Sequence, residues 1–110
     1  MNLISKDETW SIGGGCTAIR YDYGDYEVLV TNDTVVAPTD AELEAEVIEI
    51  GLYDLTAGIH DSIAALDLHG RDGLIAYYTE RGETATDLAT VDIHALLDLV
   101  VETFIQRSLS

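Results

Sequence analysis

Basic residues are what this 110-residue chain has least of: Lys6 is its single lysine, and with Arg20, Arg71, Arg81 and Arg107 it faces 21 carboxylates. The formal charge is -16. Gripping DNA, RNA or an anionic membrane requires clustered Lys and Arg to neutralise phosphate, so direct binding to any of these is not expected. Cysteine is equally scarce. Cys16 stands alone, which rules out an internal disulfide and suits a reducing cytoplasm. The chain has no HExxH, no CxxC pair and no EF-hand loop. No apolar run approaches the roughly 20 residues that span a bilayer. The opening MNLISKDETW has no charged n-region followed by an apolar h-region, so no signal peptide is expected.

Apolar residues are plentiful, at 47% of the chain. That is enough for a core without metal or disulfide support, unlike the composition of a disordered acidic tail. The length suits one domain, residues 1–110. Repulsion among so many like charges opposes compaction and exceeds what solubility of a small domain needs. A basic partner is the natural complement of such a surface. Adaptation to high salt is the rival explanation, and composition alone serves both.

The first half reads as strands. A short alternating run over residues 9–12 precedes Gly13-Gly14-Gly15, and runs over 16–23 and 26–32 flank Gly24-Asp25, a two-residue hairpin signal. That loop sets the register: Tyr23 faces Tyr26, Tyr21 faces Val28 and Ile19 faces Val30 on one apolar face. The other face pairs Asp22 with Glu27 and Arg20 with Leu29. Like charges directly across a ladder are destabilising, and Arg20, diagonal to Glu27, relieves part of that cost. Residues 33–39 form a loop around Pro38. Over residues 40–53 two readings compete. Thr39 with Glu42 has capping-box spacing for a helix, while the β-branched run after it favours a strand. The preferred reading is an acidic loop or helical turn followed by a strand over 46–53.

Leu55, Ile59, Ile63 and Leu66 recur at helical spacing behind Asp54 and predict a short helix. Gly70 and Gly73 suggest a turn, and residues 74–79 another strand. The clearest helix is last. Ile93, Leu96, Leu97, Val100, Val101, Phe104 and Ile105 make a broad apolar stripe entered from Thr90 or Asp92. The expected class is α+β, an antiparallel β-sheet of about four to five strands with a long C-terminal helix packed on it. That helix could also serve a homodimer.

Catalytic constellations are weak. Gly13-Gly14-Gly15 lacks the following helix and the lysine of a nucleotide loop, and reads as a tight turn or bulge. Cys16 would need a nearby histidine (His60, His69 or His94) and electropositive surroundings to act as a nucleophile. His94 with Asp98, and His69 with Asp72, have spacings that a metal could use, but a solvated helix face is the default in so acidic a chain. No carboxylate pair stands out as a glycosidase acid and base. The expectation is a non-enzyme with no cofactor and no metal.

What remains is the acidic surface. Alternate residues on a strand lie about 6.6 Å apart, so carboxylates can form spaced rows that imitate a phosphate backbone. The candidate partner-binding residues are Asp22, Asp25, Glu27, Asp33, Asp40, Glu42, Glu44, Glu46 and Glu49. Small size, extreme acidity, the lack of a catalytic motif and the hairpin-plus-helix layout resemble phage-encoded anti-CRISPR proteins of the DNA-mimic kind. The segment WSIGGGCTAIRYDYGDYEVLVTND is similar in character to small phage and prophage proteins. Anti-CRISPR proteins share no common motif, so no residue role carries over. The resemblance implies an inhibitor in the cytoplasm of an infected or prophage-carrying prokaryotic cell. It would bind a subunit of a CRISPR effector complex where that complex grips the PAM-containing duplex, in a positively charged channel. The alternatives are a halophile's salt-adapted structural or interaction domain, and a small metal- or thiol-dependent enzyme.

Overall fold

The computed structural model describes residues 2–56, 62–79 and 88–109. In chain order the elements are β1 (Ser5–Gly13), β2 (Cys16–Asp22), β3 (Tyr26–Thr31), α1 (Asp40–Ala45), β4 (Val47–Asp54), β5 (Ala64–His69), α2 (Gly70–Thr79) and α3 (Ile93–Leu109). The five strands form one sheet in the order of the sequence, each antiparallel to its neighbour. The class is α+β, as the sequence predicts.

The β2–β3 hairpin has the predicted register. Ile19 opposes Val30, Arg20 opposes Leu29, Tyr21 opposes Val28 and Asp22 opposes Glu27. The pairing extends across the sheet as rows: Ile19, Val30, Ile50 and Leu66 share one face, and Arg20, Leu29, Gly51 and Ala65 share the other. Gly14 and Gly15 close the β1–β2 hairpin with φ of 62° and 81°. Positive φ at both central residues gives a turn whose twist matches the flanking strands, and glycine reaches it without a Cβ clash. The glycine triplet is therefore the expected turn.

All three helices cover the face that carries Ile19, Tyr21, Val28, Val30, Ile48, Ile50 and Leu52. From α3 come Ile93, Leu96, Leu97, Val100, Val101, Phe104 and Ile105, all buried and all on the predicted stripe. Leu43 of α1 and Leu74 of α2 complete the layer. Each fully buried aliphatic or aromatic side chain contributes about 1.5–3 kcal/mol relative to exposure. Asp92 caps α3, its Oδ2 accepting from the amides of His94 (3.1 Å) and Ala95 (3.2 Å).

Over residues 40–53 the preferred reading holds, a helical turn followed by a strand, and the longer helix does not form. Thr39 and Glu42 form a complete capping box for α1, and the chain then straightens at Glu46 into β4. Two other expectations are corrected. The helix predicted from Leu55 to Leu66 is not found at its described ends: Leu55 lies in a turn and Leu66 in β5, while Ile59 lies outside the described residues. Ala64, Leu66 and Leu68 turn inward and alternate with exposed Ala65, Asp67 and His69, so a period of two governs where Ile63 and Leu66 share helical spacing only by coincidence. The strand predicted over 74–79, with a turn at Gly70 and Gly73, is instead the helix α2. Its Leu74, Ile75, Tyr77 and Tyr78 pack on the core, and tertiary packing overrides the β preference of Ile and Tyr. Among the described residues, no helix is long and apolar enough to cross a membrane.

Candidate functional site

The site begins with the cations. On β1, Lys6 pairs with Tyr21 of β2 and points to the helix side of the sheet. Its Nζ lies 2.8 Å from Asp98 Oδ1 and 3.4 Å from His94 Nδ1. Asp98 also accepts from the Tyr21 hydroxyl at 2.6 Å. Arg71 extends its guanidinium to Glu44, with Nε 2.6 Å and Nη2 2.8 Å from the carboxylate, and donates from Nη1 to the carbonyls of Leu88 (2.8 Å) and Val91 (2.7 Å). One side chain thus joins α1, α2 and the approach to α3. Arg107 lies against the Tyr77 ring, 4.4 Å from its centroid. Arg20 lies on the open face, away from the helices. Its Nε donates to Glu27 Oε2 at 2.6 Å, its Nη1 is 3.5 Å from Asp22 Oδ2, and its guanidinium stacks 4.5 Å from the Trp10 ring centroid.

These pairs divide the nine carboxylates named from the sequence. Asp22 and Glu27 are compensated by Arg20, and Glu44 by Arg71. Asp40 accepts from His94 Nε2 at 2.8 Å. Glu42 closes the capping box and accepts from Asn32 Nδ2 at 3.0 Å. The Thr39 amide and then the Asn32 amide hold the Glu42 carboxyl below the ordinary glutamate range, and the Arg71 hydrogen bonds do the same for Glu44. Asp25 stands at the exposed tip of the β2–β3 hairpin. Asp33, Glu46 and Glu49 converge elsewhere, joined by Asp67, which the sequence reading does not name because it places no strand over residues 64–69.

They meet on the open face. A trough of about 320 Å³ is lined by Asp33, Glu49 and Asp67, with Ile12, Leu29, Val35, Val47 and Tyr53 as its apolar and aromatic surface. A second hollow of about 280 Å³ continues from Asp33 and Val47 to Glu42 and Glu46. Gly51 lies under the Tyr53 ring. A Cβ there would lie 3.1 Å from Tyr53 Cε2, so its absence lets the Tyr53 ring lie across the strand as a wall. Among the described residues, no ion pair includes Asp33, Glu46, Glu49 or Asp67.

The rim is held in a conformation its sequence does not favour. Val35 has φ of 59°, a left-handed backbone that costs a β-branched residue on the order of 1–3 kcal/mol. Asn32 enforces it. Its side-chain oxygen accepts from the Thr34 and Val36 amides at 2.9 and 3.0 Å, and its backbone bonds the Val35 and Val36 peptide groups. The Thr17 amide fixes the Val35 carbonyl at 3.2 Å.

Glu49 and Asp67 are directly opposed partners in β4 and β5. Neutralising one should therefore stabilise the free protein: Asp67→Asn is expected to raise the unfolding free energy by about 0.5 kcal/mol. Urea denaturation at low salt checks this, and the gain should shrink as salt rises.

Metal chemistry finds no scaffold in these groups. The His94 and Asp98 side chains serve Asp40, Lys6 and Tyr21, and His69 Nε2 lies 3.0 Å from the Ala45 carbonyl. Among the described residues, no group of three or more His, Cys, Asp or Glu side chains could hold a metal ion. No family model, curated protein or solved structure matches the chain.

Proposed function

We propose that this chain is an anti-CRISPR inhibitor of the DNA-mimic kind. It acts in the cytoplasm of an infected or prophage-carrying cell by occupying the basic DNA- and PAM-binding groove of a CRISPR surveillance complex. One observation carries the reading: each described cation is engaged by a group of the chain itself, Lys6 by Asp98, Arg20 by Glu27, Arg71 by Glu44 and Arg107 by the Tyr77 ring. The carboxylates left over in the trough and at Glu46 therefore face a partner without local compensation. Glu49 and Asp67 sit on paired strands, Asp33 on the turn that Asn32 holds and Glu46 at the end of α1, and such charge placement is what imitation of a phosphate backbone needs. A channel built to hold nucleic acid by its charge supplies the complement. The action is occupancy, with no cofactor and no bond made or broken.

Exposed carboxylates elsewhere, at Asp7, Glu8 and Asp72, favour a second reading as a salt-adapted interaction domain. A competition assay separates the two. Surveillance complexes of several types are offered labelled PAM-containing DNA, with and without the protein, at low and moderate salt. The expected result is salt-sensitive loss of DNA binding by one complex type. Reversing Asp33, Glu46, Glu49 and Asp67 together to lysine should weaken that inhibition by about 100-fold, while the reversal of Asp72 alone should change it by less than about threefold. A folded protein that displaces DNA from none of the complexes would favour the salt-adapted reading.

A further inference from the structure

β1 is one edge of the sheet, and its two halves are guarded differently. Edge strands of monomeric proteins carry charges or bulges that stop them pairing with another chain. The first half of β1 has both. Lys6, Asp7 and Glu8 are charged, the strand bulges between Asp7 and Trp10, and Asp7 Oδ1 accepts the Thr9 amide at 2.9 Å. The second half has a further irregularity at Ile12, beside the turn, but no charge. Residues 9–19, TWSIGGGCTAI, are the longest run of the chain without Asp, Glu, Lys, Arg or His. In a chain of formal charge -16 this gap falls on a sheet edge, and residues 9–13 are exposed throughout.

The backbone of that edge has groups to pair. The Thr17 amide donates to the Val35 carbonyl at 3.2 Å, and farther along β2 the Tyr23 amide donates to Tyr26 at 2.9 Å, both on the side away from β1. Ser11 and Thr17 are therefore a non-hydrogen-bonded pair of the β1–β2 ladder, and the Ser11 N–H and C=O point out from the sheet. We propose that this edge pairs with the same edge of a second copy, antiparallel about Ser11, so that one sheet runs through both. Two-fold symmetry makes the contact self-complementary: each Ser11 N–H donates to the Ser11 carbonyl of the other copy. Trp10 then lies opposite Ile12 of the second copy, an aromatic and a β-branched side chain that are 39% and 37% exposed. Charge selects both register and occupant. Pairing over residues 9–13 leaves Asp7 and Glu8 outside the overlap, beside the second copy's glycine turn, where an added Cβ meets nothing within 4 Å. A basic partner is drawn to carboxylates and gains no charge contact from this strand, whereas two acidic copies can meet here without opposing them. The other edge, β5, carries Asp67 and leads straight into α2 with Asp72.

The pairing is short against the roughly 1,200–2,000 Å² of a stable interface, so the expected dimer is weak, with Kd of about 0.1–1 mM. Sedimentation equilibrium of the full chain at about 50 and about 500 mM salt reads it. Screening of the mutual repulsion should strengthen association by about tenfold. Salt weakens the DNA competition instead, so the two readings fail separately. Ser11→Pro removes the outward N–H without costing a bond to β2, at a place where an edge strand admits proline. It should weaken the dimer by at least about tenfold and leave the circular dichroism unchanged. Hydrogen exchange in the native chain is independent of that variant: the Ser11 amide should exchange more slowly as concentration rises. A chain that stays monomeric at about 1 mM in high salt, a dimer that survives Ser11→Pro, or a Ser11 amide indifferent to concentration would each overturn the proposal.

Discussion

Gly70→Ala is expected to lower the unfolding free energy by about 3 kcal/mol, more than any single change on the acidic surface. Gly70 opens α2 with φ of 66°, and an L-residue held in that left-handed region costs about 1 kcal/mol or more. Space adds the rest. A Cβ at this position would lie 2.7 Å from the Glu44 carbonyl oxygen and 3.3 Å from Ala45 Cα. These are backbone atoms, and no rotamer change moves them aside. The Gly70 amide also donates to the Glu46 carbonyl at 2.9 Å, so the displaced segment is the end of α1 that bears Glu44 and Glu46. Gly73→Ala is the control. Its Cβ would meet Leu68 at 3.5–3.8 Å, ordinary contact distances, and alanine inside a helix gains up to about 1 kcal/mol over glycine. Urea denaturation of the two variants should move in opposite directions. Equal losses would mean that helix propensity, and not the close approach to α1, governs this junction.

Local patterns were legible in the sequence and lateral relations were not. The Gly24-Asp25 loop determines the β2–β3 register by itself, because period-two alternation leaves one pairing that buries Ile19, Tyr21, Val28 and Val30. The α3 stripe and the Thr39–Glu42 box are likewise properties of contiguous residues. The failures cluster where a neighbour decides. Residues 74–79 look like a strand until Leu74, Ile75, Tyr77 and Tyr78 are seen packed on the core. Their helix starts only because Gly70 turns the chain beneath α1.

The candidate site shows the same division. Carboxylate density along the chain pointed to Asp22, Glu27 and Glu44, yet Arg20 and Arg71 reach across from other positions and compensate them. Density says nothing of Asp67, whose place opposite Glu49 depends on β4–β5 pairing. The composition therefore overstates the charge available to a partner. Asp98 and Glu102 hold the buried tyrosines, Glu42 caps α1 and Glu44 holds Arg71. The acidity serves the fold on the helix side and remains uncompensated in the trough.

The tyrosines held by α3 lead to the other large effect, unfolding in alkali. Tyr21 is 1% exposed, and its hydroxyl donates to Asp98. Burial first, then the hydrogen bond and charge of Asp98, push its pKa well above the ordinary tyrosine value. Tyr23 is raised as well, by burial and then by the charge of Glu102, whose Oε2 accepts its hydroxyl at 3.3 Å. With folded-state pKa values raised, the stabilisation is fully present below the unfolded value of about 10 and is lost as pH rises above it. For Tyr21 alone the loss is about 1.4 kcal/mol per pH unit, so two units above that value remove about 2.7 kcal/mol. That is a large share of the roughly 5–15 kcal/mol that holds a domain together, and Tyr23 acts in the same direction. An alkaline titration followed by tyrosinate absorbance and circular dichroism checks this. Ionisation of Tyr21 and Tyr23 should coincide with loss of secondary structure in one cooperative step. Tyr21→Phe should flatten the fall of stability with pH by about 1.4 kcal/mol per unit, because Lys6 still occupies Asp98 at 2.8 Å while the ionisable hydroxyl is gone. If both tyrosines ionise while the circular dichroism is intact, β2 opens locally to solvent without unfolding, and Tyr21 and Tyr23 do not bind α3 to the sheet as firmly as their burial requires.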